Sequence, residues 1–268
     1  MAVKQLYPNQ RPTLNLNFAR SKVLDPRITF TRNSTATYVG SNGLIQTAAA
    51  GEARFDHDGN GDCQGLLIEE SRINSHQNSV FTQTSDWLTS NPANHGTVTA
   101  NNATAPDGTN TAAALVAGNQ TDRVFSMPAN STNDQFIFSI FVKRGTGDNL
   151  QLGSLAWTTQ GSIDYTFSTD SWGTNYNLAD YGKEDYGNGW VRLWIRYGAA
   201  GNGTTYVRWG DSSPSGTTGW FWGAQQELGN LPTSYIPTSG STVTRNADDA
   251  SITGTNFSSW YSQSEGSW

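Results

Sequence analysis

The chain has 268 residues, of which only 14% are charged, with a formal net charge of −6 and a pI near 5.0. That length suits one large β-domain or two smaller ones, and without a Lys/Arg-rich run there is no surface for nucleic-acid phosphates. No stretch approaches the roughly 18 apolar residues of a membrane span, and a single cysteine, Cys63, excludes an intramolecular disulfide and fits folding in a reducing cytoplasm.

The 10 Trp, 11 Phe and 10 Tyr can bury a large apolar area, which argues against disorder. Charged helix formers are scarce, whereas Gly, Thr, Ser and Asn are abundant, so many short strands joined by many turns are expected.

Met1-Ala2-Val3-Lys4-Gln5-Leu6-Tyr7-Pro8 has no apolar core of a secretory signal, and export by a signal of its own is not expected. Residues 1–11 read as an extended arm, because Pro8 and Pro12 disfavour helix. Leu14-Asn15-Leu16-Asn17-Phe18 and Ile28-Thr29-Phe30-Thr31 alternate apolar and polar residues, the pattern of half-buried strands. Thr37-Tyr38-Val39, a Gly-Ser-Asn-Gly turn at 40–43 and Leu44-Ile45 form a hairpin signature; Arg54-Phe55-Asp56 and Leu66-Leu67-Ile68 flank a second.

Beyond residue 75 a polar stretch carries Phe81 and Trp87 as apolar anchors. Strands are then predicted over 96–101, 111–116, 122–127, 135–143, 149–157, 161–168, 190–197, 204–209 and 219–227, at the spacing of a β-sandwich. Phe136-Ile137-Phe138-Ser139-Ile140-Phe141-Val142 is apolar nearly throughout and belongs mid-sheet. No amphipathic helix of ordinary length and no internal repeat is visible. Residues 241–268 return to short strand-like pieces.

Several fragments stand out by order and wording. They are Leu24-Asp25-Pro26-Arg27-Ile28-Thr29-Phe30-Thr31-Arg32, Arg54-Phe55-Asp56-His57-Asp58 and Gly65-Leu66-Leu67-Ile68-Glu69-Glu70-Ser71-Arg72. Downstream come Gly223-Ala224-Gln225 and Pro232-Thr233-Ser234-Tyr235-Ile236-Pro237-Thr238. Over about residues 12–260 the chain resembles a family of bacteriophage virion proteins, the fibre and head-spike type, built on a carbohydrate-binding-like (concanavalin A or jelly-roll-like) β-sandwich. In that family Ser85-Asp86-Trp87-Leu88 is typical of the first sandwich strand. Text like Phe257-Ser258-Ser259-Trp260-Tyr261 leads there into a further module; a short member and a shortened form of a longer fibre both fit this sequence.

The expected fold is all-β: an N-terminal β-hairpin attachment module over 1–75, a jelly-roll-like β-sandwich over 76–240 and a C-terminal extension over 241–268. The resemblance implies a virion protein made in the host cytoplasm, a homotrimer, with other phage virion proteins of capsid or tail as partners.

Candidate sites divide by chemistry. Asp56, Asp58, Asn60 and Asp62, around Gly59 and Gly61, match the opening of a Ca²⁺ loop, but position twelve is Leu67 where a bidentate Glu is required. The alternative is an Asp/Gly hairpin turn, which is what the resembled family has here. His57, His76 and His95 with Cys63 show no zinc spacing, and no nucleophile elbow, P-loop or dinucleotide fingerprint occurs. No cofactor is implied. Asp180, Glu184 and Asp185 could serve glycoside hydrolysis but sit in a Gly- and Tyr-rich stretch that reads as a solvated turn.

In Trp190-Val191-Arg192-Leu193-Trp194-Ile195-Arg196-Tyr197, successive side chains point to opposite faces. Val191, Leu193, Ile195 and Tyr197 make a core face. Arg192, Trp194 and Arg196, extended by Trp209 and bordered by Trp157 and Trp172, would make a glycan platform if exposed, with Trp194 the residue expected to face solvent. The alternative is that these aromatics are core or subunit interface. Asp25, Arg27, Arg32, Arg54 and Arg72 are candidate assembly residues, because the hairpin module lacks a sizeable core of its own. The functional expectation is a non-enzymatic fibre or spike component aiding attachment to host-surface glycans. The alternatives are a capsid decoration (cement) protein without a ligand and a polysaccharide-degrading depolymerase.

Overall fold

The structure, a computed structural model, describes residues 14–81, 97–117, 122–126, 135–155, 160–198, 204–209 and 216–264. The fold is all-β, built on two antiparallel sheets. One is formed by β7 (Thr97–Ala103), β8 (Ala112–Val116), β10 (Gln135–Arg144), β14 (Asp180–Asp185), β15 (Trp190–Gly198) and β17 (Thr218–Leu228), in the order β14-β15-β10-β17-β8-β7. The other contains β9 (Asp122–Ser126), β11 (Asn149–Leu155), β12 (Gln160–Thr166), β13 (Ser171–Trp172) and β16 (Thr204–Trp209), in the order β13-β12-β11-β16-β9. The chain alternates between the sheets at β8–β9–β10–β11 and again at β15–β16–β17. This is broadly the arrangement of a jelly-roll-like sandwich.

Burial explains the central position of β10. Phe136, Phe138, Ile140 and Val142 point into the main core, together with Leu193, Ile195 and Tyr197 of β15. Leu150, Leu152, Ile163, Tyr165 and Val207 meet them from the facing sheet. The intervening residues of β10 are buried too: Ile137 and Phe141 lie on the opposite face of the strand. Phe141 joins a second core with Ile45, Ala105, Ala112, Trp190, Trp222 and Tyr235. The six-stranded sheet is thus covered on both faces around this strand, and a continuous apolar run is the pattern such burial demands. Between Ser139 and Phe141 the pairing of β10 with β17 shifts register. Gly223 sits there at φ +63°, and a Cβ on it would meet the Phe141 ring at 2.7 Å. The Gly223-Ala224-Gln225 fragment therefore marks a bulge where ring and backbone approach closely.

The second cover is the N-terminal module. β2 (Ala36–Val39) pairs with β3 (Ile45–Ala48), and β4 (Arg54–His57) with β5 (Cys63–Leu67), the two hairpins expected from sequence. β6 (Arg72–Asn74) pairs with β18 (Val243–Arg245), and β1 (Thr29–Thr31) with β19 (Asp249–Ser251). Residues 243–251 therefore complete the N-terminal module, and the separate extension over 241–268 needs correction. Each of these strands has only three residues, too short to stand without a partner from the far end of the chain.

Two more expectations change. Leu14–Phe18 is not a strand: Phe18–Ser21 forms a single helical turn, α1, because Asn17 Oδ1 accepts the Arg20 N–H at 3.2 Å as an N-cap. The stretch read as a loop around Asp180 is edge strand β14, whose charged residues suit an edge exposed to water. A second helical turn, α2 (Gly254–Ser258), follows β19. The expected first sandwich strand at Ser85-Asp86-Trp87-Leu88 lies outside the described residues. No helix among them is long and apolar enough to cross a membrane.

Candidate functional site

The charged residues of the N-terminal module converge on a buried ionic joint. Arg54 is 0% exposed. Its Nη1 donates to Thr37 O at 2.7 Å, Glu69 Oε2 at 2.8 Å and Ser234 Oγ at 2.9 Å, and its Nη2 to Asp248 Oδ2 at 2.5 Å. Arg32 donates to Ser34 O, Ala49 O and, at 2.9 Å, Asp248 Oδ1. Asp248 also accepts the Glu69 N–H at 2.8 Å. Burial opposes ionisation of Glu69, but Arg245, two hydrogen bonds from Ser234 and Arg54 outweigh it and hold the carboxyl below its ordinary range.

The segment 232–238 crosses this joint and is bonded along its length. Glu227 accepts from the Thr233 N–H and hydroxyl at 2.9 and 2.6 Å. Gln225 Oε1 accepts the Ile236 N–H at 2.6 Å, and Asn74 Nδ2 donates to Ile236 O at 2.8 Å. The Ser79 and Tyr235 hydroxyls lie 2.7 Å apart. The joint holds hairpins, crossing segment and sheet as one unit.

Beside it lies a half-enclosed cleft of about 250 Å³ between the module and the six-stranded sheet. Thr37, Val39, Ile45, Asp56, Leu67 and Glu69 line it from the hairpins; Glu184, Tyr186 and Arg192 from the sheet; and 232–235 from the crossing segment. Asp56 Oδ1 accepts the Val39 N–H at 2.7 Å, and burial pushes the Asp56 carboxyl above its ordinary range despite that bond. Arg192 donates to Thr233 O at 2.7 Å and Ser139 Oγ at 2.9 Å, and its guanidinium sits 5.3 Å from the Phe141 ring centre. Glu184 Oε2 lies 3.7 Å from Arg192 Nη1 and accepts a long bond from the Tyr186 hydroxyl at 3.4 Å. Burial raises the Tyr186 hydroxyl far above its usual range, so it stays protonated.

The glycan platform does not form as an exposed surface. Arg192 is 1% and Trp194 8% exposed, because the face of β15 opposite the main core is covered. A Cβ on Gly182 of the neighbouring strand would strike the Trp194 ring at 2.6 Å, so the indole lies across that glycine. Arg196 is partly exposed and bonds Asn230 Oδ1 at 3.0 Å. Trp172 is on the other sheet, packed against Tyr165 and Tyr181 with ring centres 4.9 and 5.1 Å away. Trp209 is also a strand residue of that sheet, while its side chain and Trp157 lie outside the described residues.

Of the assembly candidates, Arg32 and Arg54 are buried within the chain and are not a docking surface. Asp25 and Arg27 form a local pair at 2.7 Å that brings the Asp25 carboxyl down to about 2. Arg72 bonds Glu70 at 2.5 Å at the rim of the joint.

The Asp-rich hairpin is a turn held by its own backbone. Asp58 Oδ1 accepts the N–H groups of Asn60 and Asp62 at 2.9 and 3.0 Å. Among the described residues no group of three or more His, Cys, Asp or Glu is gathered to hold a metal ion. The tip instead packs against the β14–β15 turn, where a Cβ on Gly59 would lie 2.8 Å from the Gly187 nitrogen. Of the proposed acids, Asp180 lies 3.6 Å from Arg196 and Asp185 pairs with Lys183, leaving only Glu184 in the cleft. Asp248, Ser234, Glu227 and Tyr186 are the site residues that sequence reasoning did not single out. Ser234 lay within a recognised fragment, but Asp248 carries no local signal.

No family model matches the chain, and no curated protein matches it in sequence. Solved structures with a distant, partial likeness include the crystal structure of the CBM22-1 and GH10 modules of the Clostridium thermocellum N-terminal endo-1,4-β-D-xylanase 10B, complexed with xylohexaose. The identity is 14% and the TM-score 0.32; the match covers 63% of this chain and 30% of that one.

Proposed function

We propose that the chain is a non-enzymatic structural protein of a bacteriophage particle, of the fibre or head-spike kind. Within that class it acts as a decoration or connector protein, located in the virion and assembled with other virion proteins as a homotrimer. One observation carries this reading. Fragments on which the resemblance rests meet in the buried joint: Arg32, Arg54 and Glu69 from the hairpins with Ser234 from the crossing segment. Such residues make a rigid block. The aromatic and arginine face that would favour an adhesive role is used for packing, which favours the decoration or connector reading.

Cryo-electron microscopy of purified virions of the encoding phage tests the proposal. Density for this chain at lattice positions on the capsid supports decoration; density at the tail or at a fibre base supports a connector. Particles lacking the chain would refute it, as would release of reducing ends from host polysaccharide by the purified protein.

A further inference from the structure

The cleft beside the joint has chemistry that the joint does not use. Asp248 and Glu69 are saturated by arginines, N–H groups and a serine hydroxyl. In the cleft, Asp56 accepts from the Val39 N–H and is also held by the His57 N–H, whereas among the described residues Glu184 makes only the long contacts to Tyr186 and Arg192. The Glu184 side chain is 40% exposed, and the Nε of buried Arg192 has no hydrogen-bond partner among the described residues. Val39, Ile45, Leu67 and Pro232 add an apolar wall, and Tyr38, Tyr186 and Tyr235 are among the other lining residues.

Size and charge narrow the ligand. About 250 Å³ is below the roughly 300–1,000 Å³ typical of sites for drug-sized molecules, which fits one ring and not an oligomer. An anion would face Asp56 and Glu184, and a cation would face Arg192. A neutral ring bearing several hydroxyls can donate to the carboxylates and lay its C–H faces on the aliphatic wall, while the buried Arg192 guanidinium acts on it only through its charge. We infer that this cleft binds a single neutral sugar unit of pyranose size. The inference does not rest on the particle-surface role. Because the lining comes from both the hairpins and the sheet, the bound ring bridges them and stabilises their docking.

The test uses the full chain with methyl glycosides of glucose, galactose, mannose and N-acetylglucosamine, read by saturation-transfer NMR and by thermal unfolding. At least one glycoside should bind and raise the unfolding temperature. Glu184→Gln, at a half-exposed position on the edge strand, should keep the unliganded unfolding temperature and weaken binding about tenfold or more. Asp56→Asn should weaken it similarly, and Ile45→Trp should block the space. A parallel glycan array separates the sources: binding to chain-terminal units there indicates a surface glycan, and binding to the free glycosides alone indicates a monosaccharide. If no glycoside binds the folded wild type, or if Glu184→Gln and Ile45→Trp both leave binding unchanged, the inference is overturned.

Discussion

Asp248→Asn should be among the most damaging single-atom exchanges in the protein. The Asp248 side chain is 0% exposed and accepts from Arg32 at 2.9 Å, from Arg54 at 2.5 Å and from the Glu69 N–H at 2.8 Å. An asparagine keeps one acceptor but turns an NH₂ group towards a donor that cannot accept from it. Buried Arg32 then loses the charge opposite it, and buried Arg54 keeps Glu69 as its remaining carboxylate partner. Removing one partner of a buried pair costs about 3–5 kcal/mol, against at most about 1 kcal/mol for an exposed pair. At roughly 2–4 °C per kcal/mol for a chain of this size, the unfolding temperature should fall by about 6–20 °C. Thermal and urea unfolding followed by tryptophan fluorescence measures it, with the exposed neighbour variant Asp249→Asn as the control. A loss below about 1 kcal/mol would mean that the joint is not the keystone its geometry describes.

Three further outcomes follow from packing and titration. Trp194→Ala should lower stability by about 3 kcal/mol, the loss expected for a buried tryptophan, and calorimetry would distinguish this from the near-neutral change of an exposed platform residue. Gly59→Ala should cost about 1–3 kcal/mol in urea unfolding, because the new Cβ meets backbone at Gly187 and Asp185 that cannot rotate away. The folded Glu69 carboxyl titrates below its unfolded value, so its contribution is full above the ordinary glutamate value of about 4.3 and is lost as pH falls through the lower folded value. Asp56, raised by burial, acts in the opposite sense. Urea midpoints measured against pH should therefore show an acid limb that Glu69→Gln flattens and Asp56→Asn does not.

What was legible in the chain was local. The apolar run through β10, the period-two strands and both Gly-containing hairpin turns follow from short-range rules, and the strand spans appear close to where those rules put them. Edge strand β14 was hidden because Lys183, Glu184 and Asp185 resemble a solvated turn, and Gly182 interrupts the pattern to accommodate the Trp194 ring. The two faces of β15 were separable by alternation. Which face was covered was not, because the cover comes from distant parts of the chain: Ile45 of a hairpin more than a hundred residues earlier, and Thr233 and Tyr235 of the segment after β17. The tryptophans themselves were the available signal: Trp190, which alternation puts on the same face as Arg192 and Trp194, and Trp222 are large groups that usually seek burial, and both lie in the second core. Asp248 lies 194 residues from Arg54 and 216 from Arg32, and nothing in its own surroundings announces those partners.

Arg245 tests whether every charge in the joint is there for stability. It is 1% exposed, and none of its three guanidinium nitrogens has a hydrogen-bond partner among the described residues. Glu69 Oε2 lies 3.4 Å from Nη1, and burial, with Arg54 nearby, pushes the Arg245 guanidinium below its ordinary range. A buried cation held by one loose contact carries most of the desolvation cost and little of the directional gain. Arg245→Met, similar in length and uncharged, should therefore leave stability at neutral pH unchanged or raise it by about 1 kcal/mol, the opposite of Asp248→Asn. Glu69 would keep Arg54 and Ser234 but lose a large part of what lowers its pKa, so the acid limb of the urea profile should move to higher pH. If Arg245→Met instead costs as much as Asp248→Asn, the joint acts as one indivisible network in which loose and tight pairs cannot be separated. If stability holds while the acid limb stays in place, Arg245 does not act on Glu69 and the electrostatic account of the joint fails at that contact.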